Sequence, residues 1–308
     1  MKMETKKRDL TRVLIYLAIT FSLTWLYALL IIYPIANGES LNGIPAVATQ
    51  LTVAAAMFFP ALGVILTRLI TKEGFRDTWL KLSLKKNVKT YLLAWFGPAV
   101  LTFAGMVLYF LLFPKNLDLN FSFFIATLEA SGAPTETLPM PIGLLMLVQC
   151  VQAVFLAPIM NFITCFGEEW GWRGYLLPKV SKHFSTIPTL LITGIIWGLW
   201  HAPMTIIGHN YGLGYWGFPF TGIAMMCVFC IVLGVFMSYV TLKAKSCIPA
   251  ILAHGAVNGI AAIGIYFTAD GGNPFIGPAP TGIVGLIPFA IAAAFMVIHL
   301  NRSKKGTA

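Results

Sequence analysis

A chain of 308 residues that is 58% hydrophobic and only 10% charged, with a mean hydropathy of +0.81, has lipid rather than water as its main solvent. That excludes an ordinary water-soluble globular domain and predicts an all-α, polytopic membrane helix bundle. The net charge of +10 calls for no nucleic-acid partner, because its distribution along the chain has a simpler explanation in membrane topology.

Crossing a hydrocarbon core takes roughly 20 apolar residues, and eight such runs follow one another at about 13–33, 47–70, 91–113, 142–165, 187–206, 220–242, 247–268 and 281–300. The basic lead MKMETKKR before the first run has the look of a signal peptide, but the apolar part is too long and no small-residue cleavage site follows, so a retained first helix is expected. Lys and Arg gather at one end of the predicted bundle. They occupy the N-terminus, Arg68 to Lys89, Lys179 and Lys182, Lys243 and Lys245, and Arg302 to Lys305; the loops at the other end hold only Lys115, together with Glu39, Asp118, Glu129, Glu136 and Asp270. By the positive-inside rule both termini are then cytoplasmic, and the basic loops face an anionic leaflet. The location expected is integral and multi-pass, in the cell membrane if the host is prokaryotic.

No linker, repeat or low-complexity tail divides the chain, so 1–308 is expected to form one integral membrane domain with a motif core at about 142–268. Between the second and third runs, the stretch from Phe75 to Tyr91 mixes Trp and Leu with Lys, which suits either a segment in the headgroup region or a solvated basic loop. A longer loop runs from Pro114 to Pro141, and the Gly/aromatic stretch from Gly208 to Phe220 reads as a turn at the outer interface. Prolines at 60, 98, 158, 203, 249 and 288 predict kinks. The five cysteines, Cys150, Cys165, Cys227, Cys230 and Cys247, are too scattered for a disulfide framework; Cys227 and Cys230 have redox-motif spacing but no thioredoxin-like surroundings, and all five are expected to be buried thiols.

The most informative string is GEEWGWRGYLLP, Gly167 to Pro178, because Glu168 and Glu169 are the acidic residues bordered on both sides by long hydrophobic sequence. An ionisable group at membrane depth marks a candidate functional site. Glu169 and Arg173 are four apart and share a helix face; Trp197 and His201 repeat that spacing in the next run, and His254 and Asn258 in the seventh. Each pair alone is compatible with an ordinary helix salt bridge or with polar glue between helices. Together, two carboxylates, two imidazoles, an amide and a guanidinium are the ingredients of hydrolysis, in which a base activates water and donors receive an oxyanion. His183, His209 and His299 fall at run edges and are expected to be interfacial.

The order E-E-x-x-x-R (Glu168, Glu169, Arg173), aromatic-x-x-x-H (Trp197, His201) and H-x-x-x-N (His254, Asn258) resembles the CPBP or Abi family of intramembrane endopeptidases, which includes the type II CAAX prenyl endopeptidase. The resemblance covers about Gly167 to Asn258. Trp197 departs from it, since the family pattern usually has Phe there; a bulky aromatic is kept. The resemblance implies that Glu168 acts as general base on a water assisted by His201, that His254 and Asn258 donate to the oxyanion, and that Glu169 and Arg173 hold the first carboxylate in place. A zinc enzyme using Glu168, His201 and His254 is the mechanistic alternative; the absence of an H-E-x-x-H pair and the presence of Asn258 favour a mechanism without metal. Substrates implied are small peptides or proteins, prenylated CAAX proteins among them. The functional alternatives are a non-proteolytic scaffold or bacteriocin immunity protein of the same fold, and a transport path, which lacks the inverted repeats expected of it. The sequence specifies neither oligomeric state nor substrate.

Amide hydrolysis in lipid requires a hydrated cavity, and the basic face suggests that it opens to the cytosol. For Glu168 to meet His201 at depth, the fourth helix has to continue through the EExxxR motif toward Pro178, with a kink at Pro158 absorbing the extra length.

Overall fold

The computed structural model describes residues 2–36, 46–132 and 138–305, and all regular structure among them is helical. Helix α1 (Lys2–Tyr27) runs through a π turn (Ala28–Ile32) into α2 (Tyr33–Ala36); α3 (Ala46–Ala56) and α4 (Phe59–Ile70) form a second rod, and α5 (Leu84–Leu112) a third. A short α6 (Ser122–Ala130) precedes a broken rod made of α7 (Ile142–Phe155), α8 (Ala157–Met160), α9 (Phe162–Gly171), a π turn (Trp172–Leu176) and α10 (Leu177–Val180). Then come α11 (Thr186–Trp200), α12 (Ala202–Ile206), α13 (Phe220–Ala244), α14 (Ile248–Ile260) and α15 (Ile283–Lys305).

Among the described residues, six stretches are long and apolar enough to span a membrane: Lys7–Ala36, Leu51–Ile70, Leu84–Leu112, Phe220–Ala244, Ile248–Phe267 and Ile283–Arg302. The other two predicted runs appear as shorter apolar helices, Ile142–Phe155 and Thr186–Trp200. Proline accounts for the difference. Pro158 and Pro203 each stand at the start of a new short helix, α8 and α12, where a missing N–H costs nothing. Large apolar side chains point outward along the rods, among them Leu30, Leu111, Met160, Ile163 and Phe295, as expected where the neighbour is lipid. The protein is an integral, multi-pass membrane protein.

The fourth rod does continue through the EExxxR motif, as helix to Val180 with its π turn at Trp172–Leu176. Close packing of its neighbours depends on small residues at GxxxG spacing, the device by which helices associate where lipid removes the hydrophobic driving force. Gly167 and Gly171 in α9 lie against Met57 and Pro60 at the junction of α3 and α4 within the second rod; a Cβ on Gly171 would stand 2.5 Å from the Pro60 side chain. In α11, a Cβ on Gly194 would fall 2.7 Å from Ile231 Cα and one on Gly198 2.5 Å from Cys227 Cα, so α11 lies flush on α13. Gly255 and Gly259 of α14 meet Pro158, Asn161 and Ala157 in the break of the fourth rod. Each polar motif thus sits in a helix that carries its own small-residue pair.

Candidate active site

Glu168 and Glu169 are successive residues on α9, so their side chains leave the helix about 100° apart and meet different partners. Glu168 Oε2 accepts hydrogen bonds from the indole N–H of Trp197 at 2.8 Å and of Trp172 at 3.3 Å. Among the described residues no donor reaches its other oxygen, Oε1, which belongs to a side chain lining a cavity. Glu169 is fully buried. Its Oε1 accepts from Arg173 Nη1 at 2.9 Å and from His254 Nδ1, also at 2.9 Å.

This corrects one expectation. The Glu169–Arg173 pair orients His254 and leaves Glu168 to two indoles, because the 100° step turns Glu169 toward α14 while Glu168 faces α11. Arg173 also stacks on Trp197, its guanidinium carbon 4.1 Å from the ring centre, so one indole is held from its face by the cation and from its N–H by the carboxylate. A buried charge is tolerable when paired. Glu169 and Arg173 meet that condition; Glu168 has only neutral donors, which makes it the carboxylate still available for chemistry.

His201 caps the end of α11 with Nδ1 2.9 Å from the Trp197 carbonyl. A carbonyl only accepts, so Nδ1 carries the hydrogen and Nε2 of the neutral ring keeps its lone pair. His254 has donated Nδ1–H to Glu169, leaving Nε2 for another partner. Asn258, one turn further along α14, donates Nδ2–H weakly to Cys165 Sγ at 3.6 Å and is otherwise exposed. Glu168, Trp197, His201, His254 and Asn258 all line one cavity of about 150 Å³, room for roughly five waters at the ~30 Å³ each occupies in the liquid. Glu169 and Arg173 do not line it; they form its floor.

The cavity's lining extends along the helices away from the EExxxR floor. Its lining continues past Ala261 to His209, Asn210 and Thr281, which lie in loops at the end opposite the basic ones. Below Glu168 the way toward the basic end is packed shut by Tyr16, Trp172 and Tyr175, whose rings meet at 5.2 to 5.9 Å.

Beyond that aromatic layer, Lys179 pairs with Asp9 and Glu73, Lys182 Nζ approaches Asp9 Oδ2 at 2.8 Å, and Tyr175 donates to Glu73 at 2.9 Å. Burial alone would raise the Glu73 carboxyl, but the hydrogen bond and charge of Lys179 outweigh it and hold it below its ordinary value. This clasp ties the end of the fourth rod to α1 and α4. Charge patterning placed Lys179 and Lys182 among the basic loops and did not anticipate their pairing with Asp9 and Glu73. Trp172 was missed too, although its i,i+4 spacing from Glu168 was legible.

Among the described residues no three of His, Cys, Asp or Glu are arranged to hold an ion. Glu168 Oε2 is engaged by two indoles and His254 Nδ1 by Glu169, while Glu168 Oε1 and the Nε2 atoms of His201 and His254 have no hydrogen-bond partner among the described residues. All five cysteines are free thiols; Cys165, Cys230 and Cys247 are buried as expected, whereas Cys150 and Cys227 are only partly buried because they sit toward the outer faces of their helices.

Residues 150–260, which include every residue named above as lining the site from α9, α11 and α14, match the family model described as Type II CAAX prenyl endopeptidase Rce1-like. A curated relative, CAAX prenyl protease 2 of Methanococcus maripaludis, is 28% identical over 92 residues, covering 30% of this chain and 34% of the relative. The chain therefore matches about a third of that relative's length. The matched segment is about a third of this chain, and both comparisons mark a likeness to type II CAAX prenyl endopeptidases.

Proposed function

We propose that this protein is an intramembrane endopeptidase whose base is Glu168 and whose chemistry needs no metal. The observation that carries the proposal is the convergence of Glu168, His201, His254 and Asn258 on one cavity large enough for water. Glu168 Oε1 and His201 Nε2 hold the water between them. Glu168 takes its proton as the oxygen attacks the scissile carbonyl. The resulting oxyanion accepts hydrogen bonds from Asn258 Nδ2 and from Nε2–H of a doubly protonated His254, whose Nδ1–H stays on Glu169. The proton held by Glu168 then passes to the departing amine, and the C–N bond breaks. Trp197 and Trp172 hold Glu168 in register throughout, and Arg173 balances the charge of Glu169.

The catalytic core on this account is 142–268 within a single membrane domain. Substrates are peptides or proteins cut near the membrane, either small peptides or CAAX-type prenylated chains. The test is cleavage of a fluorogenic peptide library, with and without a C-terminal farnesyl-cysteine, by the purified protein. Turnover that vanishes in Glu168→Ala and survives a strong chelator supports the proposal; a folded protein that cleaves nothing would instead point to a scaffold or immunity protein.

A further inference from the structure

The cavity that holds Glu168 has one closed end and one open one, and the two ends differ in charge. Its lining residue nearest the basic loops is His254, about 9 Å along α14 from Ile248 at 1.5 Å per residue. Directly beneath stand Glu169 and Arg173, 0% and 3% exposed, then Trp172 and Tyr175, each 1% exposed. The recess of about 340 Å³ that does open at the basic end, over Tyr175 and Lys179, shares no lining residue with the Glu168 cavity.

In the other direction the lining climbs. Leu233 is about 16 Å from the Ala244 end of α13, and Met57 about 20 Å from the Ile70 end of α4, by the same rise per residue. The lining ends at His209 and Asn210, both exposed, in the turn between α12 and α13. That turn also carries Trp216, 90% exposed, and leads to Phe220, 77% exposed, the aromatic residues expected at a membrane–water interface. Every Lys and Arg of the chain except Arg173 and Lys115 belongs to the opposite end.

We propose that substrate and water reach Glu168 from the face opposite the basic loops, so that the enzyme cuts peptide segments presented on the extracytoplasmic side of the membrane. The direction of access stands on packing and loop charge; that what enters is cut rests on the protease reading above. Among the described residues, Asp118, Glu129 and Asp270 share this face with Lys115 alone, Glu39 and Glu136 lying outside the described residues, so the peptides drawn to it are neutral or basic. Among the substrates considered above, this selects small exported peptides over prenylated chains in the cytosol, which would meet the closed floor.

The experiment uses right-side-out and inside-out membrane vesicles of cells producing the full chain, with a membrane-impermeant basic fluorogenic peptide that the detergent-purified protein cleaves. Turnover is expected from right-side-out vesicles, and it is lost in Glu168→Gln. Turnover confined to inside-out vesicles overturns the proposal. If the purified protein cleaves no peptide, the protease reading fails by itself, and access is decided by labelling. Ala261→Cys should react with an impermeant maleimide above the level of the parent chain from the right-side-out face, and no such labelling there overturns the proposal.

Discussion

The two sides of the Glu168 helix show what polar groups in a lipid-facing protein are for. On the cavity side, Glu168 keeps an oxygen without a protein donor, beside two imidazoles and an amide. On the floor side, Glu169, Arg173 and then Asp9, Glu73, Lys179 and Lys182 are tied to one another. The first side turns its free oxygen toward the cavity, which is what a reaction requires; the second fixes helices against each other, and its one unpartnered carboxylate oxygen, Glu169 Oε2, is buried. Adjacent carboxylates in one motif therefore have opposite tasks, and substitutions should separate them.

The largest effect is expected at Glu168. Glu168→Gln keeps an oxygen for the two indoles but cannot take a proton, so activity should fall by about 10²- to 10⁴-fold, the usual worth of a positioned general base, with the melting temperature in detergent little changed. On the floor the effects reverse. Arg173→Ala leaves Glu169 buried and unpaired, and chemical unfolding should show a loss of about 3–5 kcal/mol; in Arg173→Met with Glu169→Gln, which leaves no charge, much of that loss should return. A double-variant loss equal to the single one would show that the pair is not a coupled unit.

Close packing comes next. Gly198→Leu would push α11 off Cys227 and displace His201 three residues on, at a cost of about 1–3 kcal/mol for overpacking. Thermal melting and peptide cleavage should both suffer, whereas Leu at the unobstructed Gly214 should not matter. Trp197→Phe removes the closer indole donor but leaves Trp172 and the aromatic face for Arg173. A roughly tenfold loss of activity is expected, in line with a hydrogen bond to a charged group worth about 1.5–3 kcal/mol of which part is recovered by the remaining donor.

The smallest effect is in the clasp. Glu73 has its folded-state carboxyl held below the ordinary value near 4.3, so the unfolded chain binds more protons there and the clasp's contribution is complete above that value. It is lost as pH falls through the folded value. Melting curves between about pH 7 and pH 3 should therefore steepen at the acid end for the parent and flatten there for Glu73→Gln.

Much of this was legible in the sequence. Composition and eight apolar runs specified the membrane bundle, and i,i+4 spacing nominated the residues that meet at the cavity, since that spacing is how a helix presents one face. The GxxxG pairs were equally present in the string, as small residues four apart beside each motif, and only their meaning waited on the partner helices. What the string does not hold is which neighbour each side chain faces. Glu169 turns to His254 and Glu168 to Trp197 because of how three helices are rotated against one another, and no local rule sets that rotation. Nor does the count of basic residues reveal that Tyr16, Trp172 and Tyr175 fill the space behind the site.

The most direct test of the central claim is the kcat/KM of purified parent and Glu168→Gln on one cleavable fluorogenic peptide, each with and without a strong chelator and each matched to its melting temperature. A fall of at least 10²-fold in the variant, no chelator effect on the parent and equal melting temperatures are predicted; retained cleavage by Glu168→Gln, or a parent silenced by the chelator, would contradict the account.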